Sequence, residues 1–263
     1  MSVVIIDRNI IHYEVLGRGR PLILIHGWVG SWRYWIPVMQ AASLSYRTYA
    51  IDLFGFGDTA KDRQRYSLEE QSQLVGKFLD QMGIGRVALL GHGLGGVVAL
   101  MHTAQNPNIV DRVMAVSCPL EAEAVSARLK TGSPLGLAEW LLDRNTLTEP
   151  ALVDAPKADS MALATSFEAL SRMNGLQLMS QAPQTACLLV YGDKDPAVSP
   201  PDSDALAGLP QQAQAVSFAE SGHFPMLDES SRFNRLLGDF LALASGETPR
   251  NLQLKEEWKR RVR

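Results

Sequence analysis

Five histidines and one glycine-rich turn carry most of the chemical potential of this chain. The stretch Val87-Ala88-Leu89-Leu90-Gly91-His92-Gly93-Leu94-Gly95-Gly96-Val97-Val98-Ala99-Leu100 reads as a buried strand, a tight turn and a helix. Such a turn can hold its central residue in a strained conformation at the tip, ready to attack a carbonyl carbon. The residues two positions to either side must then be small. Gly91 and Gly95 meet that need, but the tip residue is Gly93, which has no atom to attack with. Dinucleotide folds use similar turns for phosphates. Here the turn lies far from the N-terminus, and no acidic residue follows in the right context about 20 residues on. Among the histidines, His223 stands out. Gly222 before it and Phe224-Pro225-Met226 after it suit a histidine presented on a loop, able to take and return a proton. His26 reads as a structural histidine bonded to loop backbone, and His92 as packed beneath the turn. His12 and His102 have no motif context. Asp52 reads as a turn-former.

These residues need a scaffold. Val3–Ile6 and Ile11–Val15, split by Asp7-Arg8-Asn9, predict a hairpin. Short apolar runs at Pro21–Ile25, Arg47–Asp52, Val87–Leu90, Val113–Ser117, Ala186–Tyr191 and Ala215–Phe218 predict buried strands. Between them, Ser67–Met82 and Val97–Gln105 have helical periodicity, and Asp228–Ala244 predicts a closing amphipathic helix. Ser67 with Glu70 has capping-box spacing. Strands alternating with helices imply an α/β fold, with a mostly parallel sheet covered on both faces. Its functional loops should gather at the carboxyl ends of the strands, where His26, Asp52, Gly91, Gly192 and the loop after Phe218 all fall.

In this order the landmarks resemble the α/β-hydrolase family. Gly91-His92-Gly93-Leu94-Gly95-Gly96 is similar to that family's nucleophile elbow, whose central residue is Ser, or sometimes Asp or Cys. His26-Gly27-Trp28 resembles the oxyanion loop, and Asp52-Leu53-Phe54-Gly55-Phe56-Gly57 resembles the Asp-x-x-Gly-x-Gly turn. Tyr191-Gly192-Asp193-Lys194-Asp195-Pro196 resembles the acid loop, with Asp195 at the acid position and Asp193 its rival. Ser221-Gly222-His223-Phe224 resembles the histidine loop. The resemblance runs from Ile11 to Ala244. It implies an oxyanion hole from the backbone N–H groups of Trp28 and Leu94, a His223–Asp195 dyad, and a vacant nucleophile position at Gly93.

On this reading the core domain is 1–119 plus 183–245. Residues 120–182, rich in Ala, Leu and Met with helical patches at Gly136–Arg144 and Ser160–Met173, break the alternation and form a helical lid or cap. Residues 246–263 form a charged C-terminal tail. Trp28, Trp32, Trp35, Phe54, Trp140, Met161, Phe167 and Met173 are expected to line the site. Of these, Trp32, Phe54, Trp140 and Phe167 are the expected substrate contacts, which suits a small hydrophobic or aromatic molecule.

Composition narrows the function classes. Apolar residues make up 46% and charged residues 20% of the 263, as in ordinary globular proteins. A net charge of −3 gives no electrostatic reason to expect nucleic acid or an anionic membrane as partner. Cys118 and Cys187 lie in apolar runs and read as core residues. No metal cluster, Walker pattern or cofactor motif occurs, so no cofactor and no metal are expected. Without a signal peptide or a long apolar span, the expected location is cytoplasmic, and the expected state is a monomer or homodimer. Three readings follow for Gly93. The chain is a serine hydrolase of esters or similar carbonyl compounds inactivated by a Ser→Gly change. It is a natural non-acylating enzyme, a lyase or proton-transfer catalyst using the His223–Asp195 dyad as general base. Or it is a catalytically silent small-ligand-binding protein.

Overall fold

A computed structural model describes residues 2–252. Eight strands form one sheet in the order β1-β2-β4-β3-β5-β6-β7-β8. They are β1 (Ser2–Ile6), β2 (Asn9–Gly17), β3 (Arg20–Ile25), β4 (Tyr46–Ile51), β5 (Val87–His92), β6 (Val110–Val116), β7 (Ala186–Gly192) and β8 (Ala213–Phe218). The β1–β2 hairpin and the β2–β4 pair are antiparallel, and every pair from β4 to β8 is parallel. The strands β5 and β7 are buried along their whole length, as expected where helices cover both faces. Five of the six predicted buried strands, those at Pro21–Ile25, Arg47–Asp52, Val87–Leu90, Ala186–Tyr191 and Ala215–Phe218, match within two residues at each end.

The helices of the core are α1 (Ile36–Ala42), α2 (Leu68–Gln81) and α3 (Leu94–Gln105). Ser67 caps α2 by accepting from Glu70 N–H, while Leu68, Leu74, Val75, Phe78 and Leu79 face inward. Between β6 and β7 the chain forms α4 (Ala127–Thr131), α5 (Pro134–Leu141), α6 (Glu149–Asp154), α7 (Ser160–Leu170) and α8 (Gly175–Gln181). After β7 come α9 (Ser203–Ala207), α10 (Pro225–Asp228) and α11 (Ser230–Ala242). The predicted closing helix matches α11 within two residues at each end; the short α10 precedes it, started by Pro225 and separated from α11 by Glu229 at φ −125°, ψ 50°. Of the C-terminal tail, Gly246–Leu252 lies within the described residues. There Arg250 donates to the carbonyls of Ala213, Leu209 and Pro210. The charged run 253–263 lies outside them.

Helix α3 begins at Leu94, three residues before the apolar periodicity starts at Val97. The glycines explain the shift. A β-carbon on Gly95 would stand 2.2 Å from the Ile25 carbonyl oxygen and 2.5 Å from that of His26. Helix and strand thus touch backbone to backbone, and the turn tip is brought to the end of β3. Gly95→Ala should push α3 off β3 and destabilise the fold by about 3 kcal/mol, read as a lower denaturant midpoint at unchanged slope.

Candidate active site

The turn tip is Gly93. Its φ of 51° and ψ of −114° put it in a conformation L-residues rarely adopt. Its N–H donates to the Val116 carbonyl at 2.8 Å, extending the β5–β6 ladder by one bond. Leu94, at the first position of α3, and Trp28, on the loop after β3, each carry a backbone N–H with no acceptor among the described residues. The two loops are adjacent. The Gly27 Cα lies 3.6 Å from where a β-carbon on Gly93 would stand. The α3 N-terminus adds the positive end of its dipole there.

The loops after β7 and β8 meet at the same rim. Lys194 N–H donates to the Ser221 carbonyl at 2.9 Å, bringing the two together. His223 Nδ1 donates to Asp195 Oδ2 at 2.8 Å, and both side chains are 1% exposed. The other oxygen of Asp195 accepts from the N–H groups of Ala197 and Val198 at 2.7 and 3.2 Å. A carboxylate held this way keeps the neutral imidazole in its Nδ1–H tautomer, with the Nε2 lone pair available. His223 Nε2 has no hydrogen-bond partner among the described residues.

The start of the β6–β7 connection, here called the insertion, is stitched to the loop after β7. Ser126 N–H donates to Ala197 O and Ser199 N–H to Ala124 O, each at 2.9 Å. Helix α7 reaches the loop after β3. Trp28 Nε1 donates to Ser166 Oγ at 2.9 Å, and the Trp28 and Phe167 rings stack 5.1 Å apart. Two carbons of the indole lie 3.0 Å from the β-carbon position of Gly93, in the space a side chain at the tip would enter.

Residues 22–236 match the profile of the alpha/beta hydrolase family. The chain belongs to that family. A dihydrolipoyllysine-residue acetyltransferase component of an acetoin cleaving system from Pseudomonas putida is 28% identical over 87% of this chain, and the match spans 65% of that longer protein. A pimeloyl-[acyl-carrier protein] methyl ester esterase from Aliivibrio fischeri is 25% identical over 88% of this chain and 97% of its own length. Among solved structures, an enol-lactonase from Burkholderia xenovorans superposes with a TM-score of 0.79 at 17% identity, covering 92% of this chain and all of its own. A serine-to-glycine mutant of the N-acyl homoserine lactonase AidH, complexed with N-hexanoyl homoserine lactone, superposes at 0.77 with 21% identity, covering 91% of this chain and 96% of its own. At these identities the structural likenesses show the hydrolase fold.

Other residues singled out by the sequence have partners of their own. The Trp32 ring faces His12 and the Arg33 guanidinium, and the Trp140 ring carries Arg128 at 4.5 Å. Phe54 is buried in its turn, its backbone bonded twice to the Gln71 side chain. No described contact joins these three to Gly93 or His223. Met161 is 48% exposed on the first turn of α7, whose buried face begins at Ala162. His26 donates from Nδ1 to the Gly27 carbonyl and accepts Leu53 N–H at Nε2, a structural role. His12, Asp52 and Asp58 bring possible metal-ligand atoms within 4.8 Å of one another. Asp52 is already engaged, accepting from Trp32 N–H, Asp58 N–H and His12 Nδ1, while Asp58 pairs with Lys157. The trio reads as a turn-stabilising cluster. Sequence reasoning missed Tyr34 as a partner of His92, and the bond from the Ser117 hydroxyl to the His223 carbonyl. Neither residue has a motif signal.

Burial, then the neighbouring His223, hold His92 well below the ordinary histidine pKa of 6.5. Burial also lowers His26 and His102. Burial lowers His12 too, but its hydrogen bond to Asp52 and the surrounding carboxylates outweigh that and raise it overall. A histidine whose folded pKa is depressed contributes stability that is complete above the unfolded value and lost as pH falls below it. The raised His12 does the reverse. Its contribution is complete below 6.5 and fades as pH rises through its folded value. The protein should therefore lose stability between about pH 7 and about pH 5.5, and His92→Gln should lose roughly 1 kcal/mol less across that interval. Denaturant midpoints at the two pH values check this.

Proposed function

We propose that this chain binds a small apolar or aromatic carbonyl compound beneath a lid formed by residues 120–182. It acts on the compound without an acyl-enzyme step, with His223 and Asp195 as general base. The observation that carries the reading is the buried His223–Asp195 pair at 2.8 Å, with the carboxylate fixed by two backbone donors and Nε2 without a partner among the described residues. Gly93 supplies no nucleophile, so the proton His223 takes comes from a water or from the substrate itself. Negative charge developing on the substrate oxygen would be met by the N–H groups of Trp28 and Leu94. Trp28 and Phe167 supply the apolar wall. The relatives named as a methyl ester esterase and as lactonases suggest esters and lactones as the first substrates to try.

A second reading, a silent ligand-binding protein, is favoured by the position of the Trp28 ring against Gly93. The His223→Ala chain separates the two. The general-base reading expects turnover on a panel of short esters and lactones to fall at least about a hundredfold. Equal turnover in both chains would remove it. A tightly held apolar ligand with no turnover in either chain would establish the second reading. The hydrolase ancestry has its own test. Gly93→Ser should raise hydrolysis of p-nitrophenyl acetate by about a hundredfold or more, and no gain would count against a latent acyl-transfer site.

A further inference from the structure

Two donors from neighbouring strand ends converge on the carbonyl oxygen of His223. His92 Nε2, at the end of β5, lies 2.8 Å away, and Ser117 Oγ, just past β6, lies 3.0 Å away. A carbonyl only accepts, so both groups donate. That fixes His92 as the Nε2–H tautomer with a bare Nδ1. The bare nitrogen lies 3.0 Å from the Tyr34 hydroxyl, which must therefore donate to it. The same hydroxyl accepts Gly27 N–H at 2.6 Å. One polar chain thus runs from the oxyanion loop, through Tyr34 and the residue before the elbow tip, to the backbone of the histidine loop. Its members are buried, with Tyr34, His92 and Ser117 fully so and His223 2% exposed. Burial pushes the Tyr34 phenol far up and His92 far down, so the phenol keeps its proton and the imidazole stays neutral.

Ser117 adds an independent sign. Its φ is 45°. The other described non-glycine residues with positive φ, Asp7 and Arg8, form the exposed β1–β2 turn. A buried side chain in that region persists only where its surroundings over-determine it. Glycine would relieve the backbone at this position but has no hydroxyl to give the His223 carbonyl.

We propose that Ser117, His92 and Tyr34 are positioning residues. Together they lock the backbone of His223 so that its imidazole stays on Asp195, and they tie that setting to the oxyanion loop at Gly27. The inference rests on His223 and Asp195 being the functional pair. It adds which residues keep that pair aligned.

The test reads the imidazole directly, by solvent exchange of the His223 Nδ1 proton in ring-labelled protein followed by NMR. Ser117→Ala and Ser117→Gly both remove the hydroxyl, and only the second relieves the positive φ. Both should speed the exchange about tenfold, the equivalent of one lost hydrogen bond, while Ser117→Gly melts at the higher temperature. Tyr34→Phe, a mild change expected to fold, should shift the ring nitrogen signals of His92 and speed His223 exchange about threefold. Placed in the Gly93→Ser chain, Ser117→Gly should lower kcat for p-nitrophenyl acetate about tenfold and leave KM within about twofold. Parent-like exchange in Ser117→Gly would overturn the proposal, because strain relief alone would then explain Ser117. Exchange unchanged in Tyr34→Phe would remove Tyr34 and the link to Gly27. If Gly93→Ser gains no activity, the latent acyl-transfer site fails, yet the exchange measurement still decides the positioning role.

Discussion

The site depends on one close contact, the seating of helix α3 against β3 with only hydrogen atoms where side chains would stand. Gly95 lies so near the carbonyls of Ile25 and His26 that any larger residue would force the layers apart. That contact sets the height of the Gly93 tip above the sheet, the place of the Leu94 N–H beside the loop that carries Trp28, and the direction of the helix dipole. It also decides which neighbours His92 meets. With the tip pulled down to β3, the His92 ring is held between Tyr34 and the backbone of His223.

Around this contact the fold gathers loops from five strand ends, and each is held by short-range hydrogen bonds. The Asp52 turn is closed by three donors to one carboxylate. The acid loop is stitched both to the histidine loop and to the first residues of the insertion. The insertion is anchored at further points. Asp154 on α6 is bonded to Ser31 and ion-paired with Arg33, while Asp159 before α7 accepts the Tyr66 hydroxyl. Helices α6 and α7 therefore do not ride freely on the core. Their hydrogen-bonded ends fix where Ser166 and Phe167 meet the indole of Trp28.

Much of this was legible in the sequence, for identifiable reasons. Buried parallel strands read as continuous apolar runs, so β3, β4, β5 and β7 announce themselves with little error at their ends. The Ser67 cap and the apolar face of α2 are equally plain. Local signals fail where tertiary contact decides. The early start of α3 depends on Gly95 meeting β3, a contact between residues 70 apart in sequence. Aromatic content alone could not tell which partner each ring meets. Trp28 and Phe167 stack on each other beside Gly93, whereas the Trp32 and Trp140 rings carry Arg33 and Arg128. Tyr34 and Ser117 carry no motif at all, because their roles consist of one hydroxyl each, aimed at groups on distant loops.

The indole of Trp28 has a further consequence, for the order in which this protein can change. Any side chain entering at position 93 meets its ring, and moving the ring strains the bond to Ser166 and the stack on Phe167. The fitness effect of a substitution at the elbow is thus conditional on the residues at 28, 166 and 167. These four positions form an epistatic block, and an evolutionary path between a glycine tip and a nucleophilic one runs through the insertion as well as through the turn.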